Sequence, residues 1–294
     1  MSVMKFTGRT NCLAAVFAVM VALPLLMVPT DAGAKSLQEI VKDKKIRLGT
    51  IPYHPSTIKD PKTGEWSGFY VDTLRNQFKT LKIEIEFVET KWGTFSGALQ
   101  SDQFDVFVGG SFATPLRALA INFSKAFMYM GYSAGARKAD AHKYKTVADI
   151  DKPGVKVAVA MGSGGHEYVK QNFKNAEIVA LDTGDLTAPF MEVLAGRVDV
   201  GIQDAVATAL VASKQPNLVD LYGSDPFNVL PISFAVAKGN LELLNFLNTL
   251  VDYMRINGKW RKGAEKYKED LGGFFEVKPN YVPFGGSGRT GQIK

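Results

Sequence analysis

The 294-residue chain predicts an α/β fold, with parallel-rich sheets flanked by helices in two successive runs. Three observations carry the expectation. Short apolar-polar alternations of strand period are each followed by an apolar stripe of helical period. The β-α-β order recurs, which favours parallel strands joined by covering helices. A second run of the same units begins near Thr146. The composition, 46% hydrophobic and 22% charged, is that of an ordinary globular chain.

In the first run, Ile46-Arg47-Leu48-Gly49-Thr50 alternates as a strand. The stretch from Tyr70 to Leu81 puts Val71, Leu74, Phe78 and Leu81 on one helical stripe. Ile83, Ile85 and Phe87 make the next strand, and Phe95 and Leu99 a short helix after Trp92. Phe104, Val106 and Val108 form another strand, which Gly109-Gly110 is expected to end. Thr114 is a good N-cap with Pro115 at the first helical position. In the second run, Val155, Val157 and Val159 form a strand that stops at Gly162-Ser163-Gly164-Gly165, and a helix follows through Tyr168 and Phe173. Ile178 to Leu181 is a strand, Phe190 and Leu194 lie on a helix, and Val198, Val200 and Ile202 form a strand ending at Asp204. Ala205 to Ser213 is helical. After Pro231, Ile232 to Val236 reads as a strand. Asn240 then caps a long amphipathic helix that Gly258 stops, with a shorter helix around Trp260 to Tyr267. Residues 276–294 form a Gly-rich tail. No internal sequence repeat is visible.

The first 34 residues read as a cleavable export signal, with Lys5 and Arg9 ahead of an apolar run from Cys12 to Val28. That run of 17 residues is at the short edge for a spanning helix. Ala32-Gly33-Ala34 supplies the small residues of a cleavage site. The expected location is therefore the periplasm. The single cysteine, Cys12, falls inside the signal, so disulfides, thiolate catalysis and cysteine metal sites are excluded for the processed chain. Removing residues 1–34 takes away two bases and one acid, leaving a net charge of +5 from the full chain's +6. The charges are interspersed, which speaks against nucleic acid. His54, His142 and His166 have no metal-ligand spacing, and no metal or cofactor is expected.

Several motifs occur in order. They are Gly64-Glu65-Trp66-Ser67-Gly68-Phe69 through Asp72, Trp92 with Ala98-Leu99, Phe104-Asp105, and Thr114-Pro115-Leu116-Arg117 with Phe123-Ser124. Gly196-Arg197-Val198-Asp199, Gln203-Asp204 and Asn257-Gly258-Lys259-Trp260 follow. With this set the chain resembles family 3 periplasmic solute-binding proteins, the receptors of polar-amino-acid ABC transporters. The resemblance implies a type II periplasmic-binding-protein fold, with two lobes joined by a two-stranded hinge. Lobe 1 would take residues 35–131 and 232–275, and lobe 2 residues 132–231. Its implied partners are a small amino-acid-like solute and an inner-membrane ABC permease.

The residues supply their own chemistry for such a ligand. Arg117 offers a planar fork for a carboxylate near the start of a capped helix, whose dipole favours an anion. Asp204 stands at a strand's C-terminal end, where open α/β sheets place ligand groups; it is equally well read as a helix N-cap. The resemblance implies that Trp92 and Phe112 wall the apolar part of the ligand, and that Thr114, Ser163 and Gly164 lie around its polar end. An aromatic that many members carry aligns with Tyr53 or with His54. Three departures bear on the ligand. Ile51 stands where many members have Asp, Phe112 where Ser or Met is common, and Gly164 where a Thr hydroxyl is usual, which is expected to open space. A cationic side chain on the ligand is accordingly disfavoured. One relative of the family dehydrates prephenate or arogenate with a second-lobe acid after the Asp-Ala turn; Asp204-Ala205-Val206-Ala207 supplies no Glu there, so a binding protein without catalysis is the expectation. No Gly-x-Ser-x-Gly element supports a serine hydrolase.

Overall fold

The computed structural model describes residues 35–223 and 225–268, with Met1. The export signal, Cys12 and the Gly-rich tail lie outside them. The elements run α1 (Leu37–Asp43), β1 (Lys45–Thr50), β2 (Ile58–Lys59), β3 (Trp66–Ser67), α2 (Phe69–Thr80), β4 (Glu84–Glu89), α3 (Phe95–Gln100), β5 (Val106–Phe112), α4 (Pro115–Ala118), β6 (Ile121–Phe123) and β7 (Met128–Arg137). There follow α5 (Val147–Ile150), β8 (Lys156–Ala160), α6 (Gly164–Asn172), β9 (Glu177–Leu181), α7 (Ala188–Leu194), β10 (Val200–Asp204), α8 (Ala205–Lys214), β11 (Leu218–Asp220), β12 (Phe227–Ala237), α9 (Leu241–Ile256) and α10 (Lys259–Glu265).

The main sheet has the order β4-β1-β5-β12-β7-β10-β8-β9. It consists of two halves built alike. In one, β1 is parallel to β4 and β5, and β12 closes it antiparallel. In the other, β8 is parallel to β9 and β10, and β7 closes it antiparallel. These are the two lobes. The strands β7 and β12 pair with each other where the halves meet, through Leu230 with Met130 and Ile232 with Met128. Each then continues into its own half, β12 along β5 and β7 along β10.

An aspartate stands just before the third strand of each half. Asp105, fully buried, accepts from the Arg47 backbone N–H (2.7 Å) and pairs with the Arg47 guanidinium (2.7 Å). Asp199 accepts from the Lys156 backbone N–H at 2.9 Å. Both tie the start of a central strand to the strand beside it. Two motifs that carry the family resemblance, Phe104-Asp105 and Arg197-Val198-Asp199, are thus scaffold.

The strand β5 does not end at Gly109-Gly110 as the glycines suggested. It runs on to Phe112, because Ser111 and Phe112 pair with Ser233 and Ile232 of β12. The pairing shifts register between Ser233 and Ala235, the mark of a bulge. Gly110 has φ +76°, and a Cβ there would meet the Tyr70 ring at 2.8 Å. Likewise β12 begins at Phe227, ahead of Pro231. The proline's missing donor costs nothing there, since its carbonyl is the group in use, accepting from Ala113 N–H at 2.9 Å.

One apolar core lies under lobe 1, where Tyr70, Phe78, Phe234, Leu247 and Trp260 pack together. A second fills lobe 2 around Val157, Phe190 and Ile202 and extends to Ile51, Tyr53, Trp92 and Phe112 of lobe 1. Apolar side chains of both lobes therefore meet between them.

Candidate functional site

The loop after β1 carries Tyr53. It is fixed by a reciprocal backbone bridge, Tyr53 N–H to Thr57 (2.6 Å) and Thr57 N–H to Tyr53 (2.8 Å). The Pro55 and Ser56 carbonyls accept from Phe69 N–H (3.0 Å) and Tyr70 N–H (2.9 Å) at the start of α2. Gly68 has φ +110°, and a Cβ there would lie 2.7 Å from the Ser56 oxygen. The Gly-Phe motif is therefore the brace of this loop. The Tyr53 hydroxyl donates to Asp204 Oδ1 at 2.6 Å. The sequence left Tyr53 and His54 open; Tyr53 is the one whose hydroxyl reaches Asp204, with His54 half-buried beside it.

Asp204 is the helix N-cap that one of its two readings expected. Its Oδ1 also accepts from Ala207 N–H at 2.9 Å, capping α8. Burial raises its pKa from the ordinary 3.8, opposed by the Tyr53 hydroxyl and the backbone donors of α8. Burial first, and then the neighbouring carboxylate, push the Tyr53 phenol well up, so it stays a donor. The sign of the pH effect follows. If the ionised Asp204 pairs a solute cation, affinity falls as pH drops through a value above 3.8, by up to about tenfold per unit. Stability without solute moves the other way, because the folded state holds that proton more tightly than the unfolded chain. Titration calorimetry and urea melts between pH 7 and 4 check both slopes, and Asp204→Asn should flatten both.

Arg117 lies on α4, with Thr114 as N-cap accepting from its backbone N–H at 3.3 Å. Its Nη1 donates to Ser111 Oγ at 2.8 Å, and its Nη2 to the Gly162 carbonyl of lobe 2 at 3.1 Å. Its Nε pairs with Glu167 Oε2 of α6 at 3.0 Å. The guanidinium stands 5.6 Å over the Phe95 ring. Burial pulls its pKa down, and Glu167 opposes that. Its ion pair with Glu167 is thus largely buried and joins the two lobes.

Phe112 and Gly164 prove to be complementary. A Cβ on Gly164 would lie 2.5 Å from the Phe112 ring and 2.6 Å from the Tyr132 hydroxyl. The space that the glycine was expected to open is therefore filled by Phe112, whose ring packs at a tilt against Tyr132 with centroids 4.7 Å apart. Gly164→Val should prevent this approach of the lobes at a cost of roughly 1–3 kcal/mol, lowering solute affinity about tenfold or more. Adding Phe112→Ala should relieve the ring clash and restore affinity only in part, since the Tyr132 hydroxyl also meets that Cβ and Phe112 is itself read as a wall of the solute site; calorimetry on the single and double variants decides.

Ser163, 2% exposed, caps α6 by accepting from His166 N–H at 3.2 Å. Trp92, 7% exposed, meets Phe107 and Phe95 edge-on, and its buried Nε1 has no hydrogen-bond partner. Gly162 (φ +75°) approaches Gly93 so closely that a Cβ would lie 2.4 Å from the Gly93 Cα. Sequence reasoning missed Ser111, Tyr132, Gly162 and Glu167. Only Glu167 had a local signal, as an acid in the first turn of a capped helix. Among the described residues no cluster of three or more His, Cys, Asp or Glu could hold a metal, and no helix is long and apolar enough to cross a membrane.

Residues 46–270 match the model of the bacterial extracellular solute-binding proteins, family 3. The chain belongs to that family. Its fold is the type II periplasmic-binding-protein fold. An ancestral amino-acid-binding protein, described as a precursor of cyclohexadienyl dehydratase, superposes with a TM-score of 0.70 at 32% identity, covering 78% of this chain and 97% of its own. The L-cystine-binding protein TcyJ of Escherichia coli strain K12 is 26% identical over 82% of this chain and 89% of TcyJ. The cyclohexadienyl dehydratase of Pseudomonas aeruginosa is 24% identical over 67% of this chain and 73% of the enzyme. The family thus includes binding proteins and an enzyme on one scaffold.

Proposed function

We propose that this family 3 protein is a periplasmic receptor without catalytic activity. It captures a small carboxylate-bearing solute, an amino acid or a derivative, between its lobes and delivers it to an ABC permease. One observation supports this above the others: Arg117 of lobe 1 reaches Glu167 and the Gly162 carbonyl of lobe 2, Asp204 of lobe 2 is held by Tyr53 of lobe 1, and an apolar cluster spans both lobes beside them. A guanidinium and a carboxylate so placed match the two charges of a zwitterion. Arg117 takes the carboxylate and Asp204 with Tyr53 the ammonium. Thr114, Ser163 and Gly164 border the polar end, Trp92 and Phe112 cover the apolar part, and His54 lies at the rim. Residues 1–34 are the export signal, and the lobes divide near residues 131 and 231, within or beside the crossing strands. A solute bridging both lobes shifts the population toward closure by its differential affinity alone.

The dehydratase relative keeps a second reading in view. The turn after Asp204 carries no glutamate, which favours binding over dehydration. The test is a thermal-shift panel on protein refolded to strip bound solute, with amino acids, derivatives and keto acids, alongside a prephenate turnover assay. A solute at about 100 times its Kd adds about 2.7 kcal/mol of stability. A shift with an α-amino acid and no turnover supports the receptor; turnover of prephenate sinks it.

A further inference from the structure

Every side of the Arg117 fork is already engaged, by Ser111 and the Gly162 carbonyl through its Nη atoms and by Glu167 through Nε. Glu167 and Arg117 are only 12% and 9% exposed. Glu167 projects from the first turn of α6 in lobe 2, while Arg117 belongs to lobe 1. A carboxylate of the protein thus sits on the group assigned above to the carboxylate of the solute. Beside it is a cavity of about 350 Å³ lined by Trp92, Ser96, Arg117, Ser163, Glu167 and Lys170. Lys170 lies three residues on, exposed, on the same helix, at a spacing that lets it pair with Glu167; it has no ion pair among the described residues.

We propose that Glu167 is a specificity-determining residue, an internal carboxylate that competes with the solute for Arg117. The inference rests on the reading of Arg117 as the solute clamp. Exchanging one carboxylate for another at the same guanidinium gains little net energy. A solute offering only a carboxylate therefore cannot displace Glu167. A solute that also places an ammonium on Asp204 and apolar surface on Trp92 and Phe112 can, and Glu167 then turns through the cavity to Lys170. The pair makes recognition two-pointed: α-amino acids are admitted, while keto acids and simple carboxylates are refused.

The test is calorimetry with L-cystine, L-arginine, L-alanine and pyruvate on the refolded wild type, Glu167→Gln, Lys170→Met and Arg117→Ala, each first checked for a cooperative melt. Glu167→Gln should tighten pyruvate at least tenfold and shrink the ratio between amino acid and pyruvate. Lys170→Met, on the surface, should weaken amino-acid binding in the wild type but not in Glu167→Gln. That coupling would not arise from a merely structural Glu167. Binding lost in Arg117→Ala but with its ratio and coupling unchanged in the other variants overturns this inference alone. Binding retained in Arg117→Ala overturns the clamp reading and the inference with it. No probe binding to either the wild type or Glu167→Gln also overturns the inference.

Discussion

Arg117→Ala is expected to abolish solute binding, with a loss of roughly 2–5 kcal/mol, about 30-fold to several thousandfold in Kd. The truncation removes more than one contact. Ser111, the Gly162 carbonyl and Glu167 all converge on this guanidinium, and each would lose its partner in a site with little access to water. Glu167 would lose its guanidinium partner, and the lobes would lose the ion pair that joins them here. Arg117→Lys should be nearly as damaging, because an ammonium cannot reach acceptors on three sides of a planar fork. Calorimetry on refolded protein measures the loss, and a cooperative melt of each variant separates it from unfolding. An affinity within about threefold of wild type in Arg117→Ala would refute the clamp assignment.

The largest stability effect is expected away from the cleft, at Asp105. This carboxylate is fully buried and holds both the backbone and the guanidinium of Arg47, which also reaches the Asp102 carbonyl at 2.7 Å and its carboxylate at 2.6 Å. Asp105→Ala should cost about 3–5 kcal/mol, the usual range for breaking a buried pair from one side. Asp199→Ala, at the matching place in lobe 2, should cost less than half of that. Asp199 is 34% exposed and its guanidinium partner, Arg137, stands at 3.6 Å, where solvent weakens the pair. Urea denaturation compares them; equal losses would mean that burial does not set the difference.

Much of this architecture could be read from periodicity. The strands and helices around Ile46, Leu74, Val157, Ile202 and Leu247 carry their own pattern, and the caps at Thr114, Ser163, Asp204 and Asn240 form as their residue types predict. The misses share a cause. At Gly109-Gly110 and at Pro231, local punctuation was overridden by pairing with a strand more than a hundred residues away. The matched halves of the sheet were invisible as a repeat because they share pairing order, and sequence similarity is not needed for that. At the proposed site, Arg117 and Asp204 could be named from the charges of the ligand, and Tyr53 only through the resemblance, which left it open against His54. Phe112 and Gly164 could be named singly, yet their contact could not, since it exists only when two lobes meet. Glu167 became meaningful only when α6 was seen to carry it against α4.

The crossing of β7 and β12 also governs when this protein can fold. Lobe 2 is one continuous stretch and can assemble as soon as it leaves the ribosome. Lobe 1 cannot: its core needs Phe234, Leu247 and Trp260 packed against Tyr70 and Phe127. Those partners are separated by more than a hundred positions, and closing so long a loop is slow. During synthesis the elements from α1 to β6 must wait, unfinished, for α9 and α10 to arrive. Under the export proposed above, that delay leaves lobe 1 without a finished core while threading begins.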